Sequence, residues 1–496
     1  MSDSPAPLRL TSTAGRGTLL AAVVASGMVF LDATVVNVAL PHLGAELRAS
    51  TAGLQWTLNG YLLTLAAFVL LGGAVGDRLG RRRVFLVGVL AFTAASVLCG
   101  AAQHIGWLIA ARFLQGLGGA LLTPGSLALL QSSFHPDDRG RVIGAWSGLA
   151  GVSTALGPFL GGWLIDTLSW RWIFFLNLPL AAVVLVATLR WTPESRADAP
   201  PARFDVAGAL LGALGLAGIT YALVEADQLG GGAVPVMVAA LLGVAASVLF
   251  VLVEHRRGER ATLPPALFTD RLFGVLNVYT VLVYAALGGL TFFFSIYLQN
   301  VVGFSALATG LATLPMTLLL LVGSARSGAL AARIGPRPQL TAGPVLAAAG
   351  LLLLREVRRG ASYWTDVLPG IGLFGLGMTL VVAPLTASVL AAAPDRFAGA
   401  ASGLNNAASR VGGLLAVSGL PLLVGLSGGG YRVSGDLAPA YRAALLWCAG
   451  LMLAGALLAA VLVHRPGRPP QRSRPCPGLP APLHPEPGPV GRPGDR

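Results

Sequence analysis

From Leu19 to Val463 the chain alternates long apolar runs with short polar breaks. A helix needs about 20 mostly apolar residues to cross a hydrocarbon core of roughly 30 Å. By that measure the pattern predicts about fourteen spanning helices. They begin near Leu19, Leu54, Val84, Trp107, Val142, Trp172, Val206, Val234, Leu272, Ala306, Leu340, Leu368, Ala400 and Tyr441. The first run sits where a signal peptide would, but it holds Asp32 and continues through Asn37 to Pro41 without a cleavage site, so it reads as a retained helix. Beyond Val463 the periodicity gives way to Pro, Arg and Gly, and disorder is expected there.

Orientation follows from the breaks. Placing both ends in the cytoplasm puts most arginines on inner loops, among them Arg78, Arg81, Arg82, Arg83, Arg139, Arg141, Arg203, Arg260, Arg333, Arg337 and Arg396. Arg355, Arg358 and Arg359 form the one cluster on the outer side. The pattern therefore predicts an all-α, multi-pass protein of a bacterial cytoplasmic membrane.

Composition sharpens this. Only 11% of the 496 residues are charged and 55% are apolar, too few polar groups to clothe a globule in water. The formal charge of +13 is scattered between apolar runs, which suits anionic lipid and topology better than nucleic acid. All the basic residues are Arg, so a Walker A lysine or a lysine Schiff base is excluded. Gly370-Ile-Gly372-Leu-Phe-Gly375 follows no strand and reads as chance, and HExxH and GxSxG patterns are missing. Cys99, Cys448 and Cys476 make no disulfide framework. No enzyme, cofactor, metal or obligate protein partner is expected; without a nucleotide-binding motif, what remains is secondary transport.

The chain also repeats. Gly73-Ala-Val-Gly-Asp77-Arg78-Leu-Gly80-Arg-Arg82 recurs as Gly328-Ala-Leu-Ala-Ala332-Arg333-Ile-Gly335-Pro-Arg337, and the same spacing carries Gly144-Ala-Trp-Ser-Gly148-Leu149 onto Gly399-Ala-Ala-Ser-Gly403-Leu404. Two matches in one register imply two six-helix halves, 18–192 and 270–463, with an inserted pair at 204–254, a cytoplasmic N-terminus at 1–17 and a tail at 464–496.

Four groups of residues carry candidate chemistry. Asp32 lies deep in the first span, where an ionised carboxylate costs roughly 2.5–3.5 kcal/mol on insertion scales and needs a cavity or a partner. It is either a proton-binding group or a structural acceptor. Arg112, with Gln115 one turn along the same face, is the obvious partner, and snorkelling to the outer interface is the alternative. Gly73, Asp77, Arg78, Gly80, Arg81 and Arg82 form a tight connection whose charges can pair across the halves as a gate, or simply set topology. Gly157, Pro158, Gly161 and Gly162 put small residues and a kink on the fifth span, a pattern also common in plain helix packing. Asn37, Trp56, Tyr61, Gln115, Asn405 and Arg410 are candidates for a cavity lining, as are Phe292, Phe293, Phe294 and Tyr297, although aromatics often form interface belts. Glu225 and Asp227 read as rim residues.

Leu31-Asp32-Ala-Thr34-Val-Val-Asn37-Val-Ala-Leu-Pro41, Gly73 to Arg83, Arg112-Phe-Leu-Gln115-Gly116 and Gly157-Pro158-Phe-Leu-Gly161-Gly162 together resemble the motifs of the major facilitator superfamily. Within it the chain is similar to the fourteen-helix drug:proton antiporters of the EmrB/QacA type, a group in which Trp170-Arg171-Trp172-Ile-Phe-Phe-Leu-Asn177-Leu-Pro179 is also common. The resemblance implies export of hydrophobic drugs or antibiotics by alternating access, with proton coupling at Asp32 tuned by Arg112 and an exporter motif at Gly157 to Gly162. A symporter or uniporter on the same fold, or a membrane sensor, are the competing readings. One deep carboxylate cannot offset two desolvated charges, so neutral or monocationic cargo is expected, with protons and lipid as the other partners.

Reporter fusions after Arg48, Gly231 and Gly428 are expected to report the outside, and fusions after Arg83, Asp198 and Arg260 the inside. An inverted signal at Gly231 would remove the inserted pair.

Overall fold

The structure is a computed structural model that describes residues 7–196, 206–258, 263, 265–394 and 397–463. The tail at 464–496, Arg203, Arg260, Arg396 and Cys476 lie outside the described residues. The chain runs through α1 (Thr13–Glu46), α2 (Thr51–Leu79), α3 (Arg81–Gly100), α4 (Ile105–Ser133), α5 (Pro136–Thr167), α6 (Trp172–Phe175), α7 (Asn177–Trp191), α8 (Val206–Leu229) and α9 (Val234–Arg257). It continues through α10 (Arg271–Tyr297), α11 (Ala306–Ile334), α12 (Arg337–Leu354), α13 (Leu368–Ala391), α14 (Ala398–Leu423) and α15 (Ser434–Leu462). Polar caps start several of them: the Ser12, Ser50 and Ser305 hydroxyls accept from backbone N–H groups in the first turns of α1, α2 and α11.

Eleven of these helices are long and apolar enough to cross a membrane, with α6 and α7 making one crossing, and there are twelve if α2, bent by 51°, is one span. The shortfall against fourteen lies in α12 and α14. Arg337 and Gln339 stand in the first turn of the 18-residue α12, and Asn405, Asn406, Ser409 and Arg410 interrupt α14.

Helices α1 to α7 pack together, with α2 and α3 on α4 and α1 on α5 and α7. Helices α10 to α15 form a second bundle. Helices α8 and α9 pair with each other at the periphery, where α8 touches α2 and α14 and both turn leucines and valines such as Leu214 and Leu241 outward. With no hydrophobic drive between helices in lipid, contact depends on close backbone approach. A Cβ on Gly118 would stand 2.5 Å from the Phe92 backbone nitrogen, and one on Gly377 2.4 Å from the Gly343 carbonyl oxygen. The repeat is visible in the backbone too: Gly80 ends α2 at φ 114° and Gly335 ends α11 at φ 87°, a region that side chains rarely adopt.

The two bundles are joined by hydrogen bonds at one end. Gln55 donates to the Val417 and Ser418 carbonyls at 2.7 and 3.0 Å, Asn59 to the Ser418 hydroxyl at 2.9 Å, and Gln299 to the Val38 carbonyl at 2.9 Å. The Tyr431 hydroxyl donates to the Ala49 carbonyl at 2.9 Å, and Arg432 donates to the Gly44 and Ala49 carbonyls. Both Asp166 carboxylate oxygens accept from the first amides of α11, Ala306 at 3.1 Å and Leu307 at 2.9 Å, a carboxylate at a helix N-terminus. At the opposite end the described residues carry no such row of hydrogen bonds between the bundles, and most of 137–149 on α5 are half-buried or exposed. One end is sealed, and the other is loosely packed.

Gly118→Val is expected to cost at least roughly 1–3 kcal/mol through overpacking, while Gly450→Val, where nothing lies within 4 Å, should be tolerated. Thermal unfolding in detergent, followed by tryptophan fluorescence, compares them; equal stability would contradict the packing described.

Candidate functional site

Asp32 has no solvent exposure, and neither does Gln115; Arg112 has 1%. Arg112 and Gln115, one turn apart on α4, meet Asp32 of α1 in a closed ring. Arg112 Nη1 donates to Asp32 Oδ2 at 2.5 Å and to Gln115 Oε1 at 2.8 Å, and Gln115 Nε2 donates to Asp32 Oδ1 at 2.8 Å. Both carboxylate oxygens are thus satisfied, one by charge and one by an amide.

A second layer fixes the ring. Arg112 Nε donates to the Thr57 carbonyl at 3.0 Å, and its guanidinium carbon stands 4.3 Å from the Tyr61 ring centroid, a cation–π contact. Gln115 Nε2 also reaches the Ser96 hydroxyl at 3.3 Å, which accepts from Asn177 at 2.8 Å and donates to the Phe174 carbonyl at 3.0 Å. Five helices therefore hold one carboxylate and its partners, and Tyr61, Phe174 and Cys99, all fully buried, close the surroundings. Chemically the arrangement is a carboxylate kept beside a permanent cation in a site without bulk water.

Of the sequence-predicted residues, Asp32, Arg112, Gln115 and Tyr61 come together, and Arg112 does not snorkel. Ser96, Thr57 and Asn177 were missed as members of the ring, although Ser96 and Asn177 are polar residues in apolar runs, the signal that singled out Asp32.

Residues 22–417 match the Major Facilitator Superfamily. The chain belongs to that superfamily. It is 37% identical to the tetracenomycin C resistance and export protein of Streptomyces glaucescens, over 85% of this chain and 79% of that one. It is 37% identical to the puromycin resistance protein of Streptomyces alboniger, over 90% of each, and to the multidrug resistance protein Stp of Mycobacterium tuberculosis, over 83% of this chain and 76% of that one. The fold is shared with a bacterial homologue of the lysosomal transporter Spinster, crystallised in an inward-facing and unoccupied conformation, at a TM-score of 0.63 and 18% identity over 91% and 97% of the two chains. The chain is a multi-pass membrane transporter of this superfamily and not an enzyme.

Against that frame several sequence expectations change. Within the Gly73 to Arg83 motif, Asp77 pairs with Arg81 one turn on at 2.7 Å and Arg83 with Glu194 of the first bundle at 3.7 Å, while the Arg82 backbone N–H donates to Glu194 at 3.0 Å. These pairs do not bridge the bundles, because the motif lies at the loosely packed end. Gly80 is required by its φ of 114°, a region that side chains rarely adopt.

Gly157 and Gly161 face Thr34 and Val35 of α1, Gly162 faces Ala306 of α11, and the Pro158 carbonyl fills the space beside Gly310 of α11. The motif is a packing surface against both bundles at the sealed end. Arg171 of the Trp-Arg-Trp stretch forms an ion pair with Glu46 there, and Trp170 donates to the same carboxylate at 2.6 Å.

Trp56 faces α8: its indole donates to Glu225 at 2.8 Å and its ring lies beside Tyr221, which makes Glu225, near the end of α8, a half-buried acceptor. Asn37 donates to the Ala33 carbonyl of its own helix at 3.2 Å. Phe292, Phe293, Phe294 and Tyr297 are buried in the core, where Tyr297 stacks on Tyr441. Asn405 accepts from the Thr280 hydroxyl at 2.8 Å, and Arg410 is half-buried.

Removing one partner of a buried pair leaves an unmatched charge, a cost of about 3–5 kcal/mol. Arg112→Met should unfold well below the wild-type chain, and Asp32→Leu with Arg112→Met should recover much of that loss. A double variant no more stable than Arg112→Met would show that the pair is not the source.

Proposed function

We propose that the chain exports small hydrophobic compounds, antibiotics among them, by proton antiport and alternating access. Relatives named for antibiotic resistance, similar over most of both chains, support the direction and the cargo class. The observation that carries the coupling is the sealed ring of Asp32, Arg112 and Gln115, a charge-changing group with a fixed counter-charge at membrane depth.

Arg112 cannot lose its charge, so it stands beside Asp32 as a fixed counter-charge. If a shift of α1 against α4 within the first bundle parts Asp32 from Arg112 during the cycle, the acid stands without its counter-charge in a medium of low polarity, where its neutral form is the stable one, and it takes a proton. Return to the paired state expels that proton. One proton moving inward supplies roughly 2.3 kcal/mol per 100 mV and about 1.4 kcal/mol per pH unit, enough for a gradient of about ten- to a thousandfold in a neutral cargo.

In this reading α12 and α14 also cross the bilayer, giving fourteen spans of the drug:proton antiporter type, with halves at 18–192 and 270–463 around the inserted pair at 204–254. Both termini are cytoplasmic, so the sealed end faces outward and the loosely packed end inward. The Gly157 to Gly162 motif then serves as the outer seal, with Asp166 capping α11 across it, and the Gly73 to Arg83 motif as the inner gate that pairs across the halves once the cavity turns outward. Cargo is neutral or carries one positive charge, since Asp32 is the sole acid in the ring.

Asp32→Asn should insert normally and lose proton-driven efflux, and Asp32→Glu should keep part of it with a shifted pH profile. Reconstituted vesicles with an imposed pH gradient measure both. Undiminished gradient-driven transport by Asp32→Asn would overturn the assignment.

A further inference from the structure

Helix α14 carries a row of residues at i, i+4 spacing: Ser418, Leu414, Arg410 and Asn406. Ser418 and Leu414 have no exposure, Arg410 is half-buried, and Asn406 is exposed. Ser418 is held by Asn59 of α2 in the seal, so the row emerges turn by turn from the seal into the space toward the loosely packed end. Arg410 lies two turns below Ser418, about 12 Å along the helix at 1.5 Å per residue.

The Arg410 Nε is shielded from solvent and has no hydrogen-bond partner, and no carboxylate among the described residues interacts with it; the titratable groups near enough to act on it are the Tyr61 and Tyr284 hydroxyls. Arg112 shows what the same side chain looks like when the protein supplies its partners: Asp32, Gln115, the Thr57 carbonyl and the Tyr61 ring. Asp32 is engaged by Arg112 and Gln115, and among the described residues no hydrogen bond or ion pair joins it to Arg410. A guanidinium cannot be neutralised by losing its proton, so one held at the mouth of a seal inside a membrane protein calls for an acceptor from outside the chain.

We propose that Arg410 is the polar anchor of the cargo site and takes an acidic oxygen, a carboxylate, phenolate or enolate, on an otherwise apolar molecule. The planar guanidinium donates to such a group in a fork, which fixes orientation as well as charge. This rests on the efflux reading above and replaces its neutral or singly positive cargo with an acidic one. A cation would approach an unpaired guanidinium with Asp32 already engaged, so the single positive charge is set aside.

The test uses three probes with one apolar body: pyrenebutyrate, its methyl ester and pyrenebutylammonium. Binding to the purified full-length chain is read by energy transfer from its tryptophans at neutral pH. The wild-type chain should bind the carboxylate about tenfold more tightly than the ammonium, as expected for one charge-assisted contact. Arg410→Gln should bring the ratio of carboxylate to ester affinity to about one, and Arg410→Lys should restore part of it. Equal affinity of the wild-type chain for the acid and the ammonium overturns the assignment without any variant, as does a preference that survives Arg410→Gln in a folded protein. Proton-driven movement of the ester by wild-type vesicles separates the two readings. Movement of ester without preference for the acid removes Arg410 as anchor and leaves efflux standing; preference for the acid without movement of any probe supports Arg410 and removes efflux.

Discussion

The Asp32 carboxylate sits among helices that offer it no water, and everything around it is arranged to meet that cost. An ion in such a place is stable only with a matched charge and with every remaining lone pair occupied. Arg112 supplies the charge, Gln115 closes the ring, and the Thr57 carbonyl, Tyr61 and Ser96 hold those two in place. The result ties α1 to α4, and through them α2, α3 and α7, into one unit. A site built this way resists small adjustment, because any partial opening leaves a buried charge unmatched.

The contact between the bundles obeys a different rule. There the groups are backbone carbonyls, amides and side-chain hydrogen bonds near the helix ends, with glycines in α5 allowing α1 and α11 to approach. Such contacts are individually modest, so the seal can break without unfolding either bundle. Stability is concentrated within the bundles and mobility between them. Arg410 stands where the two regimes meet, with one neighbour in the seal and the next turn exposed.

Charge is distributed in keeping with this. Ion pairs within reach of water, such as Asp77 with Arg81 and Arg171 with Glu46, cost little to make or break. The buried pair is costly in either direction. The chain spends its few acids sparingly, and where it places an arginine at depth without one, the arginine is conspicuous.

The sequence by itself determined the solvent, the helices and the identity of the central pair. Run length needs no tertiary information, and a lone acid and a lone arginine in apolar runs have few partners to choose from. The repeat was legible as well, because Gly80 and Gly335 answer to a local backbone constraint. What only the tertiary structure decided is which residues face which. It turned Trp56 toward α8, buried the Phe292 to Phe294 run, drew Ser96 and Asn177 to the ring, and set Asp166 on the first turn of α11. The partners of the gate motif are of the same kind: whether Asp77 pairs within its own bundle, as it does here with Arg81, or across the bundles depends on which end is closed, and no local pattern encodes that.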